Sequence, residues 1–187
     1  MRTLGALIVL LIAMALGLAM YFYSGSYPVG ADVPHSGLVA STLERIRDRG
    51  IAAQSRQVQQ PQDLNDPKRI SIGAGHYAAM CAVCHLAPGY DRNETAAGLN
   101  PHPPQLVHHL SLTPAQIFWI IKHGLRMTGM PAWGGTHSDE ELWDLTAFVL
   151  QLPNMTPEQY RDVVSHASVD EDMVSMPMPM TPANAPP

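Results

Sequence analysis

The sequence predicts an all-α protein, with one membrane-spanning helix at the N-terminus and a small helical domain after it. Residues 4–23 form an uncharged apolar run, and about 20 such residues are enough to cross a bilayer core. Two later stretches, 113–125 and 138–152, repeat apolar residues at helical spacing. Each begins at a Thr or Ser, which are favoured helix N-caps. These three observations define the predicted architecture.

The apolar run at the N-terminus predicts an anchor over residues 1–23. Arg2 precedes it and no basic residue follows until Arg45, so the positive-inside rule predicts a cytoplasmic N-terminus and an exported remainder. The aromatic residues 21–23 suit the outer membrane interface. A cleaved signal peptide is the alternative. The length of the run, and the aromatics where small cleavage-site residues would stand, favour an uncleaved anchor in a bacterial inner membrane.

Residues 24–69 are predicted to form a periplasmic tether that contains one short helix. The helix is expected within 38–56, ending near Gly50, and residues 57–69 are polar and resemble a linker. The short helix is either a docking element near the membrane or a solvated spacer, and the sequence leaves both open.

Residues 70–152 are predicted to form the compact domain. A first helix is expected over 71–84, followed by a long loop rich in Gly and Pro. Thr113 caps the second helix and Gly124 is its expected stop. The last helix begins with the capping box Ser138–Glu141 and runs to residue 152. A domain of this size is only marginally stable without additional apolar material in its core.

The tail, residues 153–187, is acidic and rich in Pro and Met. Such a composition cannot bury a core, so the tail is expected to be disordered, and the sequence leaves open whether residues 160–172 form a further helix that docks on the domain. Thioethers suit Cu(I), so four methionines form a candidate copper site: Met173, Met176, Met178 and Met180. A solvated end without metal is the favoured alternative.

The two cysteines of the chain stand in the motif C-A-V-C-H, formed by Cys81, Cys84 and His85. C-x-x-C-H is the attachment signature of haem c. On a helix the two thiols lie about one turn apart, so they can bind two vinyl groups on one porphyrin edge while His85 binds the iron. A zinc site would need a second ligand pair, and a dithiol redox site a βαβ context. The motif therefore predicts one covalently bound haem c.

The second axial ligand of the iron is predicted to be Met130. It stands between Gly129, which allows close approach of the backbone, and Pro131, which stiffens the loop. Met127 is the nearest competitor, and the downstream histidines are expected to be surface or loop residues: His102, His108, His109, His123 and His137. A His/Met pair raises the reduction potential of a haem.

The segment 70–152 resembles the mono-haem class I c-type cytochromes. Gly73 and Tyr77 stand eight and four residues before Cys81, similar to the N-terminal helix of that family. Leu145-Thr-Ala-Phe148 is similar to its C-terminal helix. The resemblance implies that these two helices cross, with Gly73 at the point of closest approach and Tyr77 against Leu145 and Phe148.

Pro104-Gln-Leu resembles a Pro-Asn-Leu stretch of the same family. The resemblance implies that the Pro104 carbonyl accepts the N–H of the proximal imidazole, with Pro103 as the alternative register. Arg126 and the Nε1 of Trp133 are candidate donors to a haem propionate, since a buried charge needs donors. Packing of Trp133 in the core is the alternative.

These features predict an electron carrier, not an enzyme, which passes single electrons between respiratory-chain partners at the periplasmic face. The donor and acceptor are redox proteins in or at the membrane. Residues 70–152 carry three Lys/Arg against six Asp/Glu, which disfavours nucleic acid as a partner. The alternatives are a fixed cytochrome subunit of an oxidase or dehydrogenase complex, a haem enzyme or gas sensor with a displaceable Met, and a copper-delivery protein.

Overall fold

The computed structural model describes residues 2–90, 93–108 and 110–167, and within these ranges it is helical without strands. The all-α prediction is confirmed. Residues up to Pro34 form one compact unit and residues from His35 onward a second. The helices are α1 (Arg2–Tyr23), α2 (Gly37–Gln54), α3 (Pro67–His76), α4 (Ala82–His85), α5 (Glu94–Gly98), α6 (Pro114–His123), α7 (Asp139–Gln151) and α8 (Pro157–Ser165).

Helix α1 has 22 residues and its side chains are exposed. Among the described residues it is the one helix long and apolar enough to cross a membrane, judged by length and composition. Because it begins near the N-terminus, both a membrane anchor and an export signal fit these properties.

The core of the second unit is built around the crossing of α3 and α7. A Cβ added at Gly73 would overlap the Asp144 carbonyl oxygen and would lie 2.9 Å from Phe148 Cβ. The ring centroids of Tyr77 and Phe148 lie 5.3 Å apart. The crossing implied by the family resemblance is therefore confirmed, with Gly73 at its closest point.

Local sequence signals set the ends of α6 and α7. Thr113 and Gln116 form a capping box at the start of α6, and Ser138 and Glu141 form one at the start of α7. Gly124 ends α6 with a φ of 63°, a conformation that glycine adopts without a Cβ clash. The predicted boundaries are confirmed at these positions.

The tether prediction for residues 24–69 is wrong in its second half. Helix α2 continues through Gly50 to Gln54. Ile51, which follows Gly50, is buried, and α2 packs against α6. Leu64 is buried in the core, and the Arg69 guanidinium lies 2.6 Å from the Asp144 carboxylate of α7. The domain therefore includes residues before 70.

The disorder prediction is wrong for residues 157–165. A capping box of Thr156 and Gln159 starts α8, and Tyr160 is 6% exposed. Its ring lies 6.4 Å from that of Tyr77 and 6.2 Å from that of Phe148, so α8 completes the aromatic cluster at the α3–α7 crossing. The four methionines of the predicted copper site, at 173, 176, 178 and 180, lie outside the described residues.

Candidate haem site

The C-x-x-C-H motif lies where the helical segment that begins with α3 ends. Helix α3 passes into a wider π-helical turn, Tyr77–Cys81, and then into the single turn of α4. Both cysteines are free thiols; Cys81 is 8% exposed and Cys84 is half-buried. Residues three apart share one side of a helix, so the two thiols are arranged to bind one edge of a flat ligand.

The chain turns sharply after His85. Leu86 adopts a φ of 61°, in the left-handed region that stops a helix. The Tyr77 hydroxyl donates a hydrogen bond of 2.5 Å to the Leu86 carbonyl. This bond ties the end of the motif to the α3–α7 core and fixes the position of the preceding His85 backbone.

The His85 ring is oriented by a single hydrogen bond. Its Nδ1 lies 2.8 Å from the Pro104 carbonyl oxygen. Because a carbonyl only accepts, this contact assigns the proton to Nδ1 and leaves the lone pair of Nε2 for a metal. Burial lowers the pKa of His85, and the bond to Pro104 opposes that shift. The neutral imidazole, the form that binds iron, is thus favoured.

Met130 lies on a loop closed by three hydrogen bonds. The Leu125 N–H donates to the Met130 carbonyl at 3.2 Å. The Thr128 hydroxyl donates to the Leu125 carbonyl at 2.8 Å and accepts from the Met130 N–H at 3.1 Å. Met130 is half-buried and packs against the core, whereas Met127 is 69% exposed. The structure therefore holds Met130 rigidly and leaves Met127 in solvent.

The proposed propionate donors have different surroundings. Arg126 is exposed. Trp133 is half-buried, packs against the core and meets the His137 ring edge-on at 5.5 Å. Its packing matches the alternative interpretation from the sequence, while a role toward a propionate stays a prediction for both side chains.

The downstream histidines have local contacts of their own where the structure describes them. His102 Nδ1 lies 3.3 Å from the Ala96 carbonyl, and the His123 ring lies 4.9 Å from that of Trp119. His108 is exposed, and His109 lies outside the described residues. Within the described ranges, no cluster of three or more His, Cys, Asp or Glu side chains is arranged to hold a metal ion.

The sequence did not single out Thr128 of the methionine loop or the buried His76. Thr128 braces the methionine loop, and the T-x-M spacing is the signal that would have shown it, because a Thr hydroxyl often bonds to the backbone two residues on. His76 is 2% exposed on α3 and its ring meets His137 edge-on at 5.7 Å. No local pattern distinguishes His76 from a surface histidine.

Burial disfavours the thiolate form of both cysteines in the folded chain. Burial raises the pKa of Cys81 to about 12, and burial also raises the pKa of Cys84. Addition of a thiol across a vinyl group, with sulfur bonding one carbon and the hydrogen passing to the other, would leave an apolar thioether in place of the buried S–H. The residues present therefore fit a covalently attached haem: two sulfurs on one side of a helix, an imidazole oriented by a carbonyl, and a rigid thioether on a separate loop.

Residues 68–149 match the family model described as cytochrome C oxidase, cbb3-type, subunit III. This segment is a c-type cytochrome domain. The match spans the C-x-x-C-H motif, the α3–α7 crossing and the methionine loop, and this domain binds haem c covalently. No curated protein matches the chain.

The family match confirms the resemblance drawn from the sequence motifs. It begins at residue 68, one residue into α3, and ends near the end of α7. Helices α2 and α8 lie outside the matched segment, on either side of it in the chain, and pack on α6 and α3 respectively.

Proposed function

We propose that the protein is a membrane-tethered, mono-haem electron carrier that passes single electrons between respiratory-chain partners at the periplasmic face of a bacterial inner membrane. One observation carries this proposal. The chain offers two held axial ligands, His85 bonded to the Pro104 carbonyl and Met130 on its hydrogen-bonded loop. A haem with both positions filled by protein transfers electrons rather than binding a small molecule.

Haem c supplies a one-electron iron couple when it is bound, and the residues of the chain tune it. A thioether opposite an imidazole favours the reduced iron and raises the reduction potential. The hydrogen bond that His85 Nδ1–H donates to the Pro104 carbonyl fixes the imidazole plane. Thr128 holds the backbone that would present the Met130 thioether to the iron.

The proposed partners are proteins that present a basic surface. Residues 70–152 carry three Lys/Arg against six Asp/Glu, and residues 153–187 add one against five. An acidic carrier is steered electrostatically to a basic partner. A retained α1 would confine the search to the membrane plane and raise the effective concentration of a membrane-bound partner.

Optical spectra of the oxidised and reduced protein, with and without carbon monoxide, test the axial pair. We expect the wild type to show the weak far-red band of a sulfur–iron(III) bond and to resist carbon monoxide. Met130→Ala is expected to lose both properties. Met127→Ala is the matched control, because that methionine is exposed, and it should behave as the wild type. Ready carbon monoxide binding by the wild type would instead favour the sensor or enzyme interpretation.

The second candidate is a fixed cytochrome subunit of an oxidase or dehydrogenase complex. The description of the matching family, an oxidase subunit, is the observation that favours it. Extraction in mild detergent followed by native electrophoresis with haem staining separates the two candidates. A stable band with further subunits indicates a fixed subunit, whereas a band of the single chain supports the carrier.

A further inference from the structure

Helix α2 lies outside the family-matched segment and has two unlike faces. One face packs on the domain: Ile51 is buried, and α2 contacts α6. The other face carries exposed aliphatic side chains. Val39 is 42% exposed and Ile46 is 64% exposed, and Leu38 beside them is 79% exposed.

The exposed aliphatic residues form a stripe that faces away from the domain. At 100° per residue, Val39 and Ile46 differ by only about 20° around the helix axis, while Ile46 and Ile51 differ by about 140°. Val39 and Ile46 are two turns apart along one line of the helix. The core therefore does not cover this stripe, which we call the outer stripe (Val39 and Ile46, with Leu38 about 80° from Ile46 around the axis).

The charges of α2 are segregated around the outer stripe. Glu44 and Asp48 each lie about 160° from Ile46 around the axis, on the opposite side of the helix. Arg49 lies about 60° from Ile46, and Arg45 about 100°. Among the described residues neither of these two arginines takes part in an ion pair. The outer stripe thus has these two arginines along one side, while Arg47, which pairs with Asp48, lies about 100° away on the other side.

We propose that the outer stripe of α2 lies in the surface of an anionic lipid bilayer, parallel to the membrane plane. Aliphatic side chains with arginines beside them are the composition that binds at the boundary of headgroups and acyl chains, with the arginines meeting lipid phosphates. This inference rests on the proposed function, because it assumes that α1 is retained as an anchor. Thirteen residues separate α1 from α2, and fully extended they span at most about 45 Å.

The membrane is favoured over a protein partner by the shape and charge of the stripe. Its side chains are isolated aliphatics on one helix without a neighbouring pocket or aromatic anchor, whereas protein interfaces concentrate their affinity in such anchors. A lipid surface needs neither. Within α2 the two carboxylates, Glu44 and Asp48, lie on the side away from the outer stripe, so they do not oppose its contact with anionic lipid.

Spin labelling of the full-length holoprotein in vesicles tests the proposal. Both native cysteines are bound to haem, so a cysteine introduced by Ile46→Cys is a single reactive thiol. Glu44→Cys, on the opposite side of the same turn, is the matched control. Two collision rates are measured for each nitroxide: one with oxygen, which concentrates in lipid, and one with a water-soluble nickel chelate. The vesicles contain phosphatidylcholine, with or without phosphatidylglycerol.

We expect a high ratio of oxygen to nickel collisions at position 46 and a low ratio at position 44, with the contrast greatest in anionic vesicles. Adding Val39→Asp should lower the ratio at 46 to the value at 44. Equal, low ratios at both positions in anionic vesicles would overturn the proposal, as would shielding of position 46 only when other membrane proteins are present. The intact mass of the mature chain is measured in parallel: loss of residues 1–23 would refute the proposed anchor, whereas a retained anchor with a water-exposed label would refute only the α2 inference.

Discussion

Replacement of Gly73 by Ala is the sharpest test of the fold around the candidate haem site. The added Cβ would overlap the Asp144 carbonyl oxygen and lie 2.9 Å from Phe148 Cβ. Both obstacles belong to the body of α7, and neither is the far end of a flexible side chain. The two helices would therefore have to separate.

The magnitude follows from two opposing contributions. Overpacking a close core contact costs about 1–3 kcal/mol, and the upper end applies here because the clash is with backbone and Cβ. Ala in place of Gly in a helix recovers about 1 kcal/mol. The expected net loss is about 2 kcal/mol in the free energy of unfolding, or a drop of roughly 10 °C in melting temperature for a domain of this size.

Guanidinium and thermal unfolding of the full-length holoprotein in detergent, followed at the Soret band, measure this loss. Gly50→Ala is the matched control, because its Cβ would meet only Gln54 Nε2 at 3.8 Å. That change should stabilise α2 by about 0.5–1 kcal/mol. If Gly73→Ala were as stable as the wild type, or if both variants shifted in the same direction, the close crossing of α3 and α7 would be refuted.

Three further predictions concern helix ends and the added helix α8. Ser138→Ala should cost about 1 kcal/mol of unfolding free energy, whereas Ser36→Ala, at an N-cap without a side-chain hydrogen bond, should cost little; denaturant titration compares the two. Hydrogen bonds from Ser138 lower the pKa of Glu141 below 4.5, so its ionised form stabilises the fold above about pH 4.5 and this contribution disappears as the pH falls further. Glu141→Gln, which keeps a capping side chain, should therefore lose less stability between pH 6 and 3 than the wild type. If the unfolding free energies of the variant and the wild type fell equally over this range, the stabilising role of ionised Glu141 would be contradicted. Tyr160→Ala should cost about 3 kcal/mol through the cavity it leaves, and calorimetry showing the same melting temperature for this variant and the wild type would exclude docking of α8.

The elements predicted well from the sequence are those whose signals are local. A capping box starts each of α6 and α7, a C-cap glycine ends α6, and an apolar stripe runs along both helices. Each of these signals lies in or directly beside the helix that it predicts. The C-x-x-C-H motif is likewise a signal contained in five residues. Each of these features is determined by neighbours along the chain, so a single sequence is sufficient to show it.

The elements predicted poorly depend on distant partners. Helix α8 was missed because the Pro- and Met-rich composition around it outweighed its capping box, and because the burial of Tyr160 comes from Tyr77, more than 80 residues earlier. Helix α2 passes Gly50 because Ile51 packs in the domain. The choice of Pro104 over Pro103 is a matter of which carbonyl the folded loop directs to His85, and spacing alone does not determine it.

The burial of Cys81 has a consequence for the order of events during biogenesis. The residues that close over the motif, α7 and α8, are the last described helices to leave the ribosome, some 55 to 85 residues after the cysteine pair. Until they arrive, α3 has no partner for its Gly73 face and the thiols stand open. Since the folded domain leaves Cys81 only 8% exposed, we expect the thioether bonds to form before α7 and α8 dock, and their docking then encloses the attached group.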